Sequence, residues 1–75
     1  MSYAKQIKNL RKDYEPKLYQ KDVAKILGIT QQTYSQYESG IRKMPIEHLI
    51  KLCEFYGVSA DYILGLPKGL KYPER

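Results

Sequence analysis

At 75 residues, 43% of them hydrophobic, the chain has material for one domain with one compact core. A single cysteine and a single histidine exclude an intramolecular disulfide framework and a Cys/His metal set, and no apolar run nears the roughly 20 residues that span a bilayer. The net charge of +5 suits a polyanion such as nucleic acid, and with no signal peptide at its start the chain is expected to be cytoplasmic.

Residues 3–14 are predicted as a first amphipathic helix. Ile7, Leu10, Arg11 and Tyr14 recur at helical spacing, with Lys5, Lys8 and Lys12 elsewhere around the turn. Pro16 ends this helix or marks the loop after it, because proline disfavours helix at the residue before it. A second helix is predicted from about Gln20, burying Val23, Ala24 and Leu27, with Gly28 as its stop. Thr30 is a good N-cap for a third helix that runs to about Ser39 and stops at Gly40.

The segment Ile41 to Met44 reads as a loop carrying two adjacent bases, Arg42 and Lys43. Pro45 suits the first turn of a fourth helix. That helix is expected to bury Ile46, Leu49, Ile50, Cys53 and Tyr56 on one face and to stop at Gly57. Cys53 is therefore read as a core residue and His48 as an exposed one. Ser59 caps a short fifth helix, with Asp61 in its first turn and Val58 placed to staple against Ile63. Two prolines and two glycines among the last eleven residues argue against another long helix. With no strand-like alternation, the fold class is all-α: a compact five-helix bundle over residues 1–65, followed by a tail at 66–75.

Within this frame, residues 20–38 have a particular spacing. Counting from Gln20, a small residue (Ala24) is fifth and glycine (Gly28) ninth. Val23, Leu27, Ile29, Tyr34 and Tyr37 are fourth, eighth, tenth, fifteenth and eighteenth. Two short helices meeting at a glycine with these buried positions are the pattern of a helix-turn-helix.

The third helix carries the chemistry. At about 100° per residue, Gln31, Gln32, Ser35, Gln36 and Ser39 fall within an arc of roughly 140°. Thr33, Tyr34, Tyr37 and Glu38 lie opposite. A solvated face normally carries Lys and Glu; this one holds only amides and hydroxyls. Glutamine can donate to and accept from the adenine major-groove edge at once, and serine allows close approach. Glu38, bordering the inward arc, needs a buried partner, and Arg11 on the first helix is the best candidate for a bidentate clamp. Groups gripping phosphate should flank the reading helix: Gln20 and the free N–H groups that start the second helix, and Arg42 and Lys43 after the third. Lys21 and Lys17 are further candidates.

With those residues in place, the chain resembles the Cro/C1-type (XRE-like) helix-turn-helix family of phage repressors and bacterial regulators. The resemblance covers roughly residues 5–65. It rests on Leu10-Arg11, Gln20 with Val23-Ala24, Leu27-Gly28-Ile29, Glu38-Ser39-Gly40, Pro45, and Gly57-Val58-Ser59 leading to Tyr62-Ile63-Leu64-Gly65. It implies a lambda-repressor-like bundle whose third helix enters the major groove of double-stranded DNA, usually as a homodimer, with helix 5 and the tail as the contact surface. Thr30-Gln31-Gln32, with Gln36 further on, looks like the reading helix of certain lambdoid repressors. That likeness assigns Gln31 and Gln32 to bases, Gln20 to a phosphate, and Arg11 with Glu38 to a structural ion pair. The chain departs from the family pattern in a longer loop at Glu15–Tyr19, in Tyr19 at a usual Ser/Thr cap, and in Tyr34 for a small aliphatic residue.

The expected function is sequence-specific DNA binding in transcription regulation, by operator occupancy as in a repressor. Bases would be read by Thr30, Gln31, Gln32, Ser35 and Gln36, and phosphates held by Gln20, Lys21, Ser39, Arg42 and Lys43. No nucleophile–base pair, metal set or phosphate loop is present, so no catalysis and no cofactor are expected. The alternative is an antitoxin-like or other protein-interaction module with secondary DNA binding. It rests on Phe55, opposite the expected core face of helix 4, with Leu66, Leu70 and Tyr72 in the tail.

Overall fold

The computed structural model describes residues 2–67 and 69–71. Five α-helices follow in order: α1 (Tyr3–Asp13), α2 (Gln20–Leu27), α3 (Gln31–Ser39), α4 (Ile46–Tyr56) and α5 (Ala60–Leu64). Among the described residues there is no strand, and no helix is long and apolar enough to cross a membrane.

Each helix inserts one apolar stripe into a shared core. Ile7 from α1, Val23, Ala24 and Leu27 from α2, Tyr34 and Tyr37 from α3, Leu52 from α4 and Ile63 from α5 form it. α2 packs against α3 and α4, α1 against α3 and α5, and α4 against α5. α3 is thus braced from two sides and leaves its remaining face open.

The α2–α3 turn is set by Gly28, whose φ of 73° lies in the left-handed region. There the Ile29 amide reaches back to the Ala24 carbonyl at 2.9 Å, closing a Schellman stop. Two residues later Thr30 caps α3, its side-chain oxygen accepting from the Thr33 amide at 3.2 Å. A left-handed stop followed at once by a capped start gives the turn little freedom, so the α3 axis is fixed relative to α2. Ser59 caps α5 in the same way, through the Tyr62 amide.

α4 departs from expectation. Its fully buried residue is Leu52, with Leu49, Cys53 and Tyr56 packed beside it. Ile46 and Ile50, assigned to the inward face, are 70% and 52% exposed. Nearly every second or third position of this helix is apolar, so several helical stripes are available, and packing on α2 and α5 selects the one through Leu52. Pro45 lies just before α4, not within its first turn, and its carbonyl accepts from the His48 and Leu49 amides.

Two further side chains differ from the sequence reading. Phe55 is half-buried: its ring stacks on Tyr14 at 5.2 Å and meets Tyr56 edge-on at 5.1 Å. The alternative reading had it exposed; the aromatic residue ending α1 covers it instead. His48 is also half-buried, its Nδ1 within 3.0 Å of the Tyr37 hydroxyl. Of the tail residues in that reading, Leu66 and Leu70 are exposed and Tyr72 lies outside the described residues.

Candidate nucleic-acid interface

α3 divides as its sequence divides. Tyr34, Tyr37 and Glu38 are buried. On the open side Gln31, Gln32, Ser35, Gln36 and Ser39 line one concave surface, which Gln20 of α2 and Ile41 of the following loop complete. Every side chain of that surface is an uncharged polar group except Ile41, which is 78% exposed. Thr30 is exposed at the start of α3, but its hydroxyl is committed to the cap and to Thr33 Oγ1 at 3.0 Å. Polar readout by this surface therefore falls to the glutamines and serines.

A single carboxylate holds the reading helix in place. Arg11 donates to Glu38 twice, Nε to Oε2 at 2.7 Å and Nη2 to Oε1 at 3.0 Å, and its Nη1 donates to the Leu18 carbonyl at 3.2 Å. Side-chain exposure is 13% for Arg11 and 3% for Glu38, so the pair is shielded from water and salt. Gln20 Nε2 adds a third donor, 3.0 Å from Glu38 Oε1. Burial alone would raise the Glu38 carboxyl, but the Arg11 and Gln20 donors, with the Tyr34 hydroxyl nearby, outweigh it and hold the group below its ordinary value. The Tyr34 hydroxyl is buried and outside hydrogen-bond geometry with any partner among the described residues. Burial and the neighbouring carboxylate push its own ionisation far up.

Gln20 thus serves the fold as well as the surface, which its place at a helix start did not reveal. Only one amide hydrogen is used by Glu38, so the other hydrogen and the carbonyl oxygen remain for a ligand. At the same helix start, the Tyr19 amide is taken by Asp22 Oδ2 at 2.9 Å. Asp22 thus supplies one half of a capping box, while Tyr19, at the position where Ser or Thr is commoner, makes no side-chain cap bond.

The bases follow residues of the concave surface in the chain, Lys21 after Gln20, and Arg42 and Lys43 after Ile41. Lys21, Arg42 and Lys43 are exposed. Lys21 and Lys17 lie over the Tyr19 ring, with Nζ 5.7 and 5.2 Å from its centre. Arg42 Nε donates to Gln36 Oε1 at 2.8 Å, and the Ser39 hydroxyl donates to the Gln36 carbonyl at 3.2 Å. A neighbouring concavity brings Lys5, Lys8 and Lys12 of α1 together with Ser39 and Gly40 at the end of α3. Their spacing of three and four gave them one shared face; nothing in the sequence said that this face adjoins α3.

Comparison with known proteins places the fold in a family. Residues 7–63 match the helix-turn-helix family model. The chain is 39% identical over 64 residues to the uncharacterized HTH-type transcriptional regulator YobD of Bacillus subtilis, covering 85% of this chain and 55% of that protein. It is 37% identical over 65 residues to the HTH-type transcriptional regulator ImmR of the same organism, covering 87% of this chain and 50% of that one. The crystal structure of a transcriptional regulator from Listeria innocua superposes with a TM-score of 0.82 at 26% identity, over 96% of this chain and 65% of the other. The chain spans about half the length of the curated relatives it matches. Its family model, its relatives and its fold each span most of the chain, and the chain belongs to the Cro/C1-type helix-turn-helix family.

Proposed function

We propose that the chain is a sequence-specific, double-stranded-DNA-binding module of a transcriptional regulator. α3 enters the major groove with Gln31, Gln32, Ser35 and Gln36 toward base edges and Thr30 at the point of entry. Gln20, Lys21, Ser39, Arg42 and Lys43 meet phosphates on either side. The observation that carries this reading is the open face of α3. It is a concave surface of amides and hydroxyls, free of acid, on a helix fixed from behind by the buried Arg11–Glu38 pair. The relatives, named as transcriptional regulators, support the same role.

The module works by occupancy in the cytoplasm, as a repressor and without catalysis. One nine-residue reading helix spans too few base pairs for tight specific binding, which favours a homodimer on a two-fold site. Exposed Tyr62, Leu64, Leu66 and Leu70 gather at α5 and the tail, the natural place for that contact. The test is selection from random duplexes followed by titration of the selected site. Recovery of one motif in two inverted half-sites, relaxed by Gln31→Ala, is the expected result. A protein that enriches no sequence is not such a module.

A further inference from the structure

Gln36 is the most constrained of the reading glutamines. Its backbone carbonyl accepts from the Ser39 hydroxyl at 3.2 Å and from the Ile41 and Arg42 amides at 3.1 and 3.2 Å. Gly40, at a φ of 78°, makes the turn that brings these donors back. The Arg42 backbone is therefore anchored to the same residue that its side chain reaches, with Nε 2.8 Å from Gln36 Oε1. A guanidinium has only donors, so the atom of the amide that faces it must be the oxygen. The NH2 group of Gln36 keeps both hydrogens for the groove, while its oxygen has one of two lone pairs engaged.

We infer that Arg42 is a positioning residue that biases Gln36 toward reading as a donor, favouring guanine over adenine at the base pair it faces. The inference rests on the DNA-binding reading above. A free glutamine amide pairs with adenine by accepting from N6–H and donating to N7. With one of its two lone pairs taken by the Arg42 cation, the amide oxygen is a weaker acceptor and the NH2 group a stronger donor, which penalises the adenine N6–H relative to a pair of acceptors. Guanine offers two acceptors there, O6 and N7, and both suit an NH2 donor. The Arg42 side chain makes no other intramolecular hydrogen bond among the described residues. Its two terminal nitrogens are thus available to a phosphate, which would lock the guanidinium, and through it the amide, on binding. The same side chain supplies charge and sets base preference.

Selection from random duplexes with the wild-type chain and with Gln36→Ala identifies the base pair that Gln36 governs. Titration of four duplexes differing only at that pair then compares the wild type with Arg42→Lys and Arg42→Ala. The wild type is expected to favour guanine over adenine by about tenfold, the size of one bidentate contact. Arg42→Lys keeps the charge without the in-plane Nε donor, and in both variants the ratio should collapse or turn toward adenine. Ratios within one variant cancel its overall loss of affinity. A wild-type preference for any base other than guanine, a ratio unmoved in both variants, or no position governed by Gln36 overturns the inference while leaving DNA binding intact. A wild type that enriches no sequence overturns both.

Discussion

Gln20 Nε2 and Arg11 Nη2 share one acceptor, Glu38 Oε1, each at 3.0 Å. α1, α2 and α3 thereby converge on a single buried carboxylate beneath the reading face. The residue that starts α2 and the residue that ends the buried arc of α3 are coupled, so positioning of the interface is a property of the fold.

Breaking this node should cost more than its hydrogen bonds suggest. Arg11→Ala strands a carboxylate whose side chain is only 3% exposed, and loss of one partner of a buried pair costs about 3–5 kcal/mol. Urea unfolding should show that loss. The double variant Arg11→Ala/Glu38→Leu should recover part of it, because no unpaired charge remains. Equal losses in the single and double variants would show that the charge is not what matters.

The carboxyl also sets an acid limit. In the unfolded chain Glu38 titrates near 4.5, and in the folded protein it is held lower. Its contribution is therefore complete above that value and drains away as the pH falls through the folded value. The urea midpoint of the wild type should fall as the pH drops from about 5 to below 4.5, and Glu38→Gln should flatten that part of the curve.

Two buried hydroxyls act at the other end of the scale. Tyr34 and Tyr56 carry oxygens without a hydrogen-bond partner. Burial raises the ionisation of both above the ordinary 10, that of Tyr56 to about 12. Removing an unsatisfied buried hydroxyl is nearly neutral or stabilising, so Tyr56→Phe should leave thermal stability unchanged or raised at neutral pH, whereas Tyr34→Phe also removes a hydroxyl beside the Glu38 carboxylate and should be the less favourable of the two. Because the folded values are the higher ones, their contribution is intact below 10 and lost as the pH rises through the folded values. The double Phe variant should lose less stability above pH 10 than the wild type.

What was legible in the chain depends on how many patterns its residues permit. α3 has few apolar residues, so Tyr34 and Tyr37 could face only inward, and the polar arc followed. The stops at Gly28 and Gly40 were legible because glycine is the residue that takes positive φ without strain. Arg11 and Glu38 were legible as opposite charges on inward arcs. α4 was not: with Ile46, Leu49, Ile50, Leu52, Cys53, Phe55 and Tyr56 it has apolar groups on most sides, and periodicity cannot choose among them. Gln20 to Glu38 and Arg42 to Gln36 were illegible for another reason. Each joins a charged group to an uncharged amide across a helix pair or a turn, and a neutral partner leaves no mark in the charge pattern.

The choice of face on α4 has a direct consequence. Leu52 is fully buried and Ile50 is 52% exposed. Leu52→Ala should destabilise by about 2–5 kcal/mol, the range for deleting a packed leucine side chain. Ile50→Ala should stay within roughly 1 kcal/mol. Chemical denaturation of the two variants separates the faces, and a reversed order would restore the stripe through Ile46 and Ile50.

Charge and base recognition should also separate. Lys43 is exposed, with no hydrogen bond or ion pair among the described residues. A lysine that neutralises one phosphate releases about one counterion. Lys43→Ala should then weaken every duplex alike and lower the slope of log affinity against log salt by about 1, with the selected sequence unchanged. Gln31 lies on the concave face and carries no charge. Gln31→Ala should do the reverse, keeping the salt slope and relaxing one base position by about 1–3 kcal/mol. Titrations of both variants on selected and scrambled duplexes at several salt concentrations check the pair of outcomes. If Gln31→Ala moved the slope, or Lys43→Ala the preferred sequence, phosphate and base contacts would not divide between the flanking lysine and the open face of α3.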